Sequence, residues 1–273
     1  MAIRCSPVTS PSARRAGVGD GVQADLFAAV RQAHARRVDG VWMCQCGTPL
    51  TDADAFMCPP CVERSRAERE QEILRERSRR HVAELQRLAY AVLASAPDWE
   101  HARIDSPALH RFPIDLQRWT RSYSTGSATI LGPSGAGKTS SVLAMLRRLG
   151  DEAMARERAR RSWEIAAETR RLGEAVWTTG HAIARARKQH GLGDDEAPPI
   201  RQAMRASLLI IDELGFEPLT EALFEVIDTR YTRRRPTIVT SGLTAEQFMA
   251  RYGVAMLRRL TDEGVGQLLD VHE

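Results

Sequence analysis

No run of 18 apolar residues occurs in this chain, so no membrane-spanning helix is expected. Its opening stretch, M-A-I-R-C-S-P-V-T-S-P-S-A-R-R, lacks the apolar core of a secretory signal. Lysine is almost absent: of 39 basic residues, only Lys138 and Lys188 are lysines. Cysteine is confined to five positions, four of them between residues 44 and 61. That clustering argues against a disulfide framework and suits a reducing, cytoplasmic setting. No internal repeat is visible. A strong charge of one sign is missing too, because acidic residues nearly match the arginines and leave a net charge of +4. The arginine content is therefore mainly a compositional habit, with contact to phosphate backbones as the other reading.

The 273 residues, 43% of them hydrophobic, hold one substantial domain and a smaller module. Residues 1–38 read as a disordered tail followed by a short helix over 25–37. Residues 39–62 hold the clustered cysteines. Residues 63–95 read as a charged helical linker, dense in Glu and Arg up to Arg80. An apolar stripe at Val82, Leu85, Leu88 and Val92 then suits packing on a neighbouring domain, and Pro97 ends the helix. Residues 96–273 alternate strand and helix patterns, with strands expected at 128–131, 175–179, 207–212, 237–240 and 266–271. This predicts an α/β fold, a mainly parallel sheet with helices on both faces. The Arg- and Glu-rich segment 154–172 reads as a solvated extension of the preceding helix or a hairpin beside it.

The firmest motif is Gly132-Pro133-Ser134-Gly135-Ala136-Gly137-Lys138-Thr139. It fits G-x-x-x-x-G-K-[ST], a loop whose backbone N–H groups cradle phosphate oxygens. Lys138 supplies charge to the β- and γ-phosphates. Thr139 offers a hydroxyl to Mg²⁺ and opens a helix whose positive end faces the anion. The context agrees: an apolar strand pattern precedes the loop and a helical pattern follows it. A second element, L-L-I-I-D-E, ends a buried strand with Asp212, placed to hold Mg²⁺, and Glu213, placed to orient attacking water. The strand pattern T-I-V-T-S-G-L ends in small polar residues that can touch water or the γ-phosphate. The helical stretch around Arg258-Arg259 can present an arginine to developing transition-state charge.

Cys44-x-Cys46-Gly47 and Cys58-x-x-Cys61 make two thiolate pairs that can close a tetrahedral Zn²⁺ site. A redox pair or an iron–sulfur cluster are the other readings. Four thiolates leave no open coordination position, so a docking knob is favoured over a catalytic centre, with DNA binding as the rival. A module this small folds only with its metal. Cys5, in the tail, is assigned no ligand.

The ordered set G-P-S-G-A-G-K-T, L-L-I-I-D-E-L-G, T-I-V-T-S-G-L and Y-G-V-A-M-L-R-R-L resembles the AAA+ ATPases of the DnaC/IstB group over about residues 96–273. These are bacterial replicative helicase loaders and transposition helper ATPases. The resemblance implies a P-loop NTPase sheet without the full C-terminal lid, ATP and Mg²⁺ as cofactors, and self-association through the ATPase domain. It implies an ATPase that loads a replicative DNA helicase onto single- or double-stranded DNA. The alternatives are a transposition helper working with a transposase, or an ATP-gated adaptor with little hydrolysis. It makes Arg259 the arginine finger, with Arg258 as runner-up. It places DNA contacts on the helix near 181–190, at Arg185, Arg187 and Lys188. Two departures stand out. Gly242 replaces the family's Asn or Gln sensor, leaving Ser241 or Thr240 as substitutes and pointing to slow or partner-stimulated hydrolysis. The segment around 153–171 is an insertion.

Overall fold

The computed structural model describes residues 29–51, 55–160, 162–189, 196–262 and 266–271. The predicted disordered tail and Cys5 lie outside them. The chain forms two compact units, Met1–Ser78 and Arg79–Glu273.

In the first unit, β1 (Ala35–Val38) and β2 (Val41–Cys44) form an antiparallel hairpin with Ala35 opposite Cys44. Residues 29–34 are helical, but the helix predicted to reach Arg37 gives way to strand at Ala35. The reason lies in the turn. Asp39 and Gly40 both adopt positive φ, 48° and 84°, as a two-residue hairpin of the Asp-Gly kind demands. The ladder this turn closes outweighs local helix propensity. The first unit also holds the start of α1 (Pro59–Ala89), whose arginines and glutamates pair along the exposed surface, as in Arg66–Glu70.

In the second unit α1 ends at Ala89, and a 3₁₀ helix, Ala91–Ser95, carries the chain to Pro97. The single helix predicted to run to Pro97 is thus broken. Leu85 and Ala89 bury against Met154, whereas Val92 joins the core beneath the sheet. Reaching both surfaces requires the change of pitch.

The sheet contains β3 (Ser127–Leu131), β4 (Val176–Thr179), β5 (Leu209–Leu214), β6 (Thr237–Ser241) and β7 (Gly266–Asp270). All five are parallel, in the order β4-β5-β6-β3-β7. This is the P-loop sheet that the resemblance implied. Side chains alternate between faces. Leu209, Ile211 and Val239 enter one core cluster, while Ile210, Ile238 and Ile130 enter the other. The first cluster is covered by α5 (Gly180–Gln189), α6 (Pro198–Arg205), α7 (Glu221–Thr232), α8 (Ala245–Tyr252) and α9 (Val254–Thr261). The second is covered by α2 (Ile114–Ser122) and α3 (Lys138–Arg160).

The charged segment after α3's first turns is only partly solvated. α3 continues to Arg160, then α4 (Ala167–Gly173) packs back. Glu157 is buried, and one of its carboxylate oxygens accepts from the Ala166 N–H at 2.7 Å and the Thr169 hydroxyl at 2.8 Å. That carboxylate joins the two helices, which is why a residue predicted to face solvent lies inside.

Candidate nucleotide site and cysteine cluster

The loop between β3 and α3 is shaped by sterics. Gly137 has φ 88°, and a Cβ there would lie 2.4 Å from the Phe112 ring. Phe112 therefore covers the loop from outside, and only glycine fits beneath it. Arg147 anchors the covering segment by donating to the Trp99 and Ala102 carbonyls, each at 2.6 Å.

Lys138 Nζ donates to the carbonyls of Gly132 at 2.7 Å and Pro133 at 2.8 Å, which aligns the ammonium along the loop. Burial lowers its pKa below the usual lysine value, opposed by Asp212 and Glu213. Thr139 Oγ1 donates to Asp212 Oδ1 at 2.9 Å. The loop and the acidic strand predicted from sequence thus meet.

Asp212 is 4% exposed. Burial pushes its carboxyl above the usual range, while hydroxyls of Thr240 and Thr139 and the Glu213 backbone pull it down. The Thr240 hydroxyl donates to Asp212 Oδ1 at 2.6 Å and accepts the Glu213 N–H at 3.0 Å. Of the two sensor substitutes left open by the sequence, Thr240 touches the acidic pair. Ser241 turns away, donating to the Leu214 carbonyl at 2.6 Å. Gly242 sits under the ring of Phe216, itself 82% exposed.

Glu213 has φ 58°, an uncommon conformation for a residue with a side chain. The β5–β6 register slips between Ile211 and Leu214, so one extra residue is accommodated at the acidic pair. Such a bulge re-aims a side chain. Here Asp212 stays buried and Glu213 is exposed.

Arg259, on α9, is joined to none of these groups. Its Nε donates to Asp228 Oδ1 at 2.7 Å, on α7. Arg258 is exposed. Of the DNA-contact candidates on α5, Arg185 and Lys188 are exposed and three residues apart, on one face of the helix. Arg187 is instead held between Glu196 and Glu225.

The sulfurs of Cys44, Cys46, Cys58 and Cys61 all lie within 4.8 Å of one another. β2 delivers Cys44, the turn at Gly47 with φ 89° follows Cys46, and Cys58 precedes α1. The Thr48 hydroxyl holds the Cys46 thiol down at about 6, whereas hydrogen bonding to Cys46 pushes Cys61 up to about 12. Four crowded thiols resist joint ionisation, and a divalent cation removes that conflict. The donor set is that of a closed structural zinc site.

Sequence reasoning missed Phe112, for which no motif signals, and left the choice of Thr240 open. The Asp-Gly pair between two valines is the signal that could have found the β1–β2 hairpin.

A phosphate loop, a buried carboxylate hydrogen-bonded to it and an exposed acid on a bulge define the nucleotide site of a P-loop ATPase-type domain. The chain belongs to the family of IstB-like ATP binding proteins, whose model matches residues 68–264. Among solved structures it is similar to the DnaC helicase loader, at 17% identity and TM-score 0.45, covering 64% of this chain and 99% of that one. DnaI matches at 16% and 0.38, covering 67% and 92%. AMPPCP-bound DnaA from Aquifex aeolicus matches at 17% and 0.38, covering 58% and 44%. No curated protein matches the chain. No helix among the described residues is long and apolar enough to cross a membrane.

Proposed function

We propose that this protein hydrolyses ATP in a self-assembled array and delivers a replicative DNA helicase to DNA, with the cysteine module as its docking knob. The observation that carries the ATPase reading is the Thr139–Asp212–Thr240 chain of hydroxyls on one buried carboxylate. Mg²⁺, held by Thr139 and Asp212, would neutralise charge on the phosphate oxygens. The loop's N–H groups and Lys138 bind the β- and γ-phosphates. Thr240 holds Asp212 and the Glu213 backbone in place. Glu213, turned outward by the bulge, orients the attacking water.

Arg259 acts on a neighbouring subunit's site in this reading. Its exposed pair with Asp228 is worth about 0–1 kcal/mol. An arginine finger supplies about 10³–10⁵ in rate, or roughly 4–7 kcal/mol. Asp228 therefore steadies the finger without withholding it from a γ-phosphate. Steady-state hydrolysis tests this. Glu213→Gln and Arg259→Ala should each lose most of the wild-type rate with ATP binding intact. Equal, near-zero rates in all three proteins would instead favour an ATP-gated adaptor.

The helicase reading rests on the closed four-thiolate module ahead of the ATPase domain, which suits protein docking rather than chemistry. The family match favours a second reading, a transposition helper acting with a transposase. A pull-down with each partner separates them. If the full chain ignores the helicase while a fragment lacking residues 1–95 still binds DNA and a transposase, the loader reading fails.

A further inference from the structure

One buried carboxylate takes no part in the phosphate site. Glu217 lies four residues beyond Glu213 and is 2% exposed. Its Oε2 accepts the Gly215 N–H at 2.9 Å. Its Oε1 accepts the hydroxyl of Tyr252, the last residue of α8. Its backbone carbonyl accepts from Arg251, whose guanidinium carbon lies 5.4 Å from the centre of the Tyr252 ring. At the start of α5, a Cβ on Gly180 would come within 2.8 Å of Glu217 Oε2. This side chain therefore meets three elements: the exit of β5, the first turn of α5 and the end of α8.

The donors on this carboxylate are neutral, a backbone N–H and a phenol. Burying a carboxylate on such partners is costly, and mere packing does not require it. What it does is fix the turn immediately after the acidic pair. Glu213, in its left-handed conformation, lies two residues before the Gly215 N–H that this carboxylate holds, and such a backbone persists only where its surroundings over-determine it. The other end of the clamp is one residue from α9. Gly253, with φ 85°, is the only residue between Tyr252 and the helix bearing Arg259.

We propose that Glu217 is a positioning residue that sets Glu213 and ties it to the α8–α9 joint, so that nucleotide at a subunit's own site is felt by the finger it offers its neighbour. The proposal rests on the ATPase reading above for the roles of Glu213 and Arg259. The coupling itself can be read without hydrolysis.

The test uses the full chain with three substitutions, Glu217→Gln, Glu217→Ala and Tyr252→Phe. Gln can still accept from Gly215 and pair with the phenol, whereas Ala does neither. Tyr252→Phe removes one hydroxyl outside the nucleotide site and guards against an Ala variant that fails to fold. We expect Tyr252→Phe and Glu217→Ala to lower kcat about tenfold, with affinity for a fluorescent ATP analogue within about twofold of wild type. Glu217→Gln should restore most of the rate. In hydrogen exchange, a non-hydrolysable ATP analogue should protect the amides of residues 254–261 in wild type and not in Tyr252→Phe. Equal protection in both proteins overturns the proposal, as does an unchanged kcat in Tyr252→Phe beside an active wild type. A wild type without hydrolysis would sink the ATPase reading alone, and the exchange comparison would still decide the coupling.

Discussion

Replacing Thr240 by valine keeps volume and β-branching and removes one hydroxyl. That hydroxyl donates to Asp212 Oδ1 and accepts the Glu213 N–H. A hydrogen bond to a charged group contributes about 1.5–3 kcal/mol, and an orphaned polar group costs about 1–3 kcal/mol. The Glu213 N–H bond to Thr240 is only part-buried, so its share falls at the low end. The extra methyl returns part of the loss through burial. The net destabilisation is about 2–3 kcal/mol for the ATPase unit. For a unit of this size that corresponds to roughly 4–12 °C in Tm. Thr240→Ser keeps the hydroxyl and is the control. Thermal unfolding by circular dichroism reads the difference. If valine and serine variants melt within about 1 °C of each other, the hydroxyl bridge does not hold the site in the way described.

Asp212→Asn should raise Tm at about pH 7.5 while abolishing Mg²⁺-dependent hydrolysis, because burial pushes the Asp212 carboxyl above its ordinary range. A carboxyl raised in the folded state favours folding in acid and opposes it above that raised value, so the gain should fade as pH falls. A gain equal at neutral and acid pH would count against it. Gly137→Ala should weaken ATP binding at least tenfold, since the new Cβ meets Phe112 at 2.4 Å in a left-handed backbone. Adding Phe112→Ala should recover part of the loss in isothermal titration; no recovery would mean the backbone alone is responsible. Chelation or Cys58→Ser should release one metal per chain and unfold the cysteine module, leaving the melting of the ATPase unit within about 2 °C. Metal analysis returning none in the wild type would end the zinc reading. Arg185→Ala and Lys188→Ala should each reduce the salt slope of DNA binding by about 1, whereas Arg187→Ala should leave it unchanged, its charge being matched by Glu196 and Glu225.

Much of the sheet was legible because its signal is local. Each strand carries at least two adjacent apolar residues among short polar ones, and each of the five segments expected to be strands pairs in the sheet. The phosphate loop and the thiolate spacing were legible for the same reason, as short motifs whose chemistry fixes the spacing. What sequence left dark depends on contacts across distance. Nothing near Glu157 distinguishes it from the exposed glutamates around it; only α4 folding back takes it out of water. Glu217 looks like an ordinary loop acid until Tyr252, 35 residues on, is placed against it. Thr240 and Ser241 could not be separated before the register put one beside Asp212 and the other beside Leu214.

The left-handed backbone at Glu213 has a consequence for anyone selecting variants. A glycine there adopts φ 58° without the roughly 1 kcal/mol or more that a side chain costs in this region. The substitution that removes the acid proposed to orient water would therefore relax the chain. Screens for heat tolerance should enrich inactive proteins at this position, and a homologue-derived thermostable design should be checked here first. Under the role proposed for Glu213, durability and turnover pull against each other at a single residue.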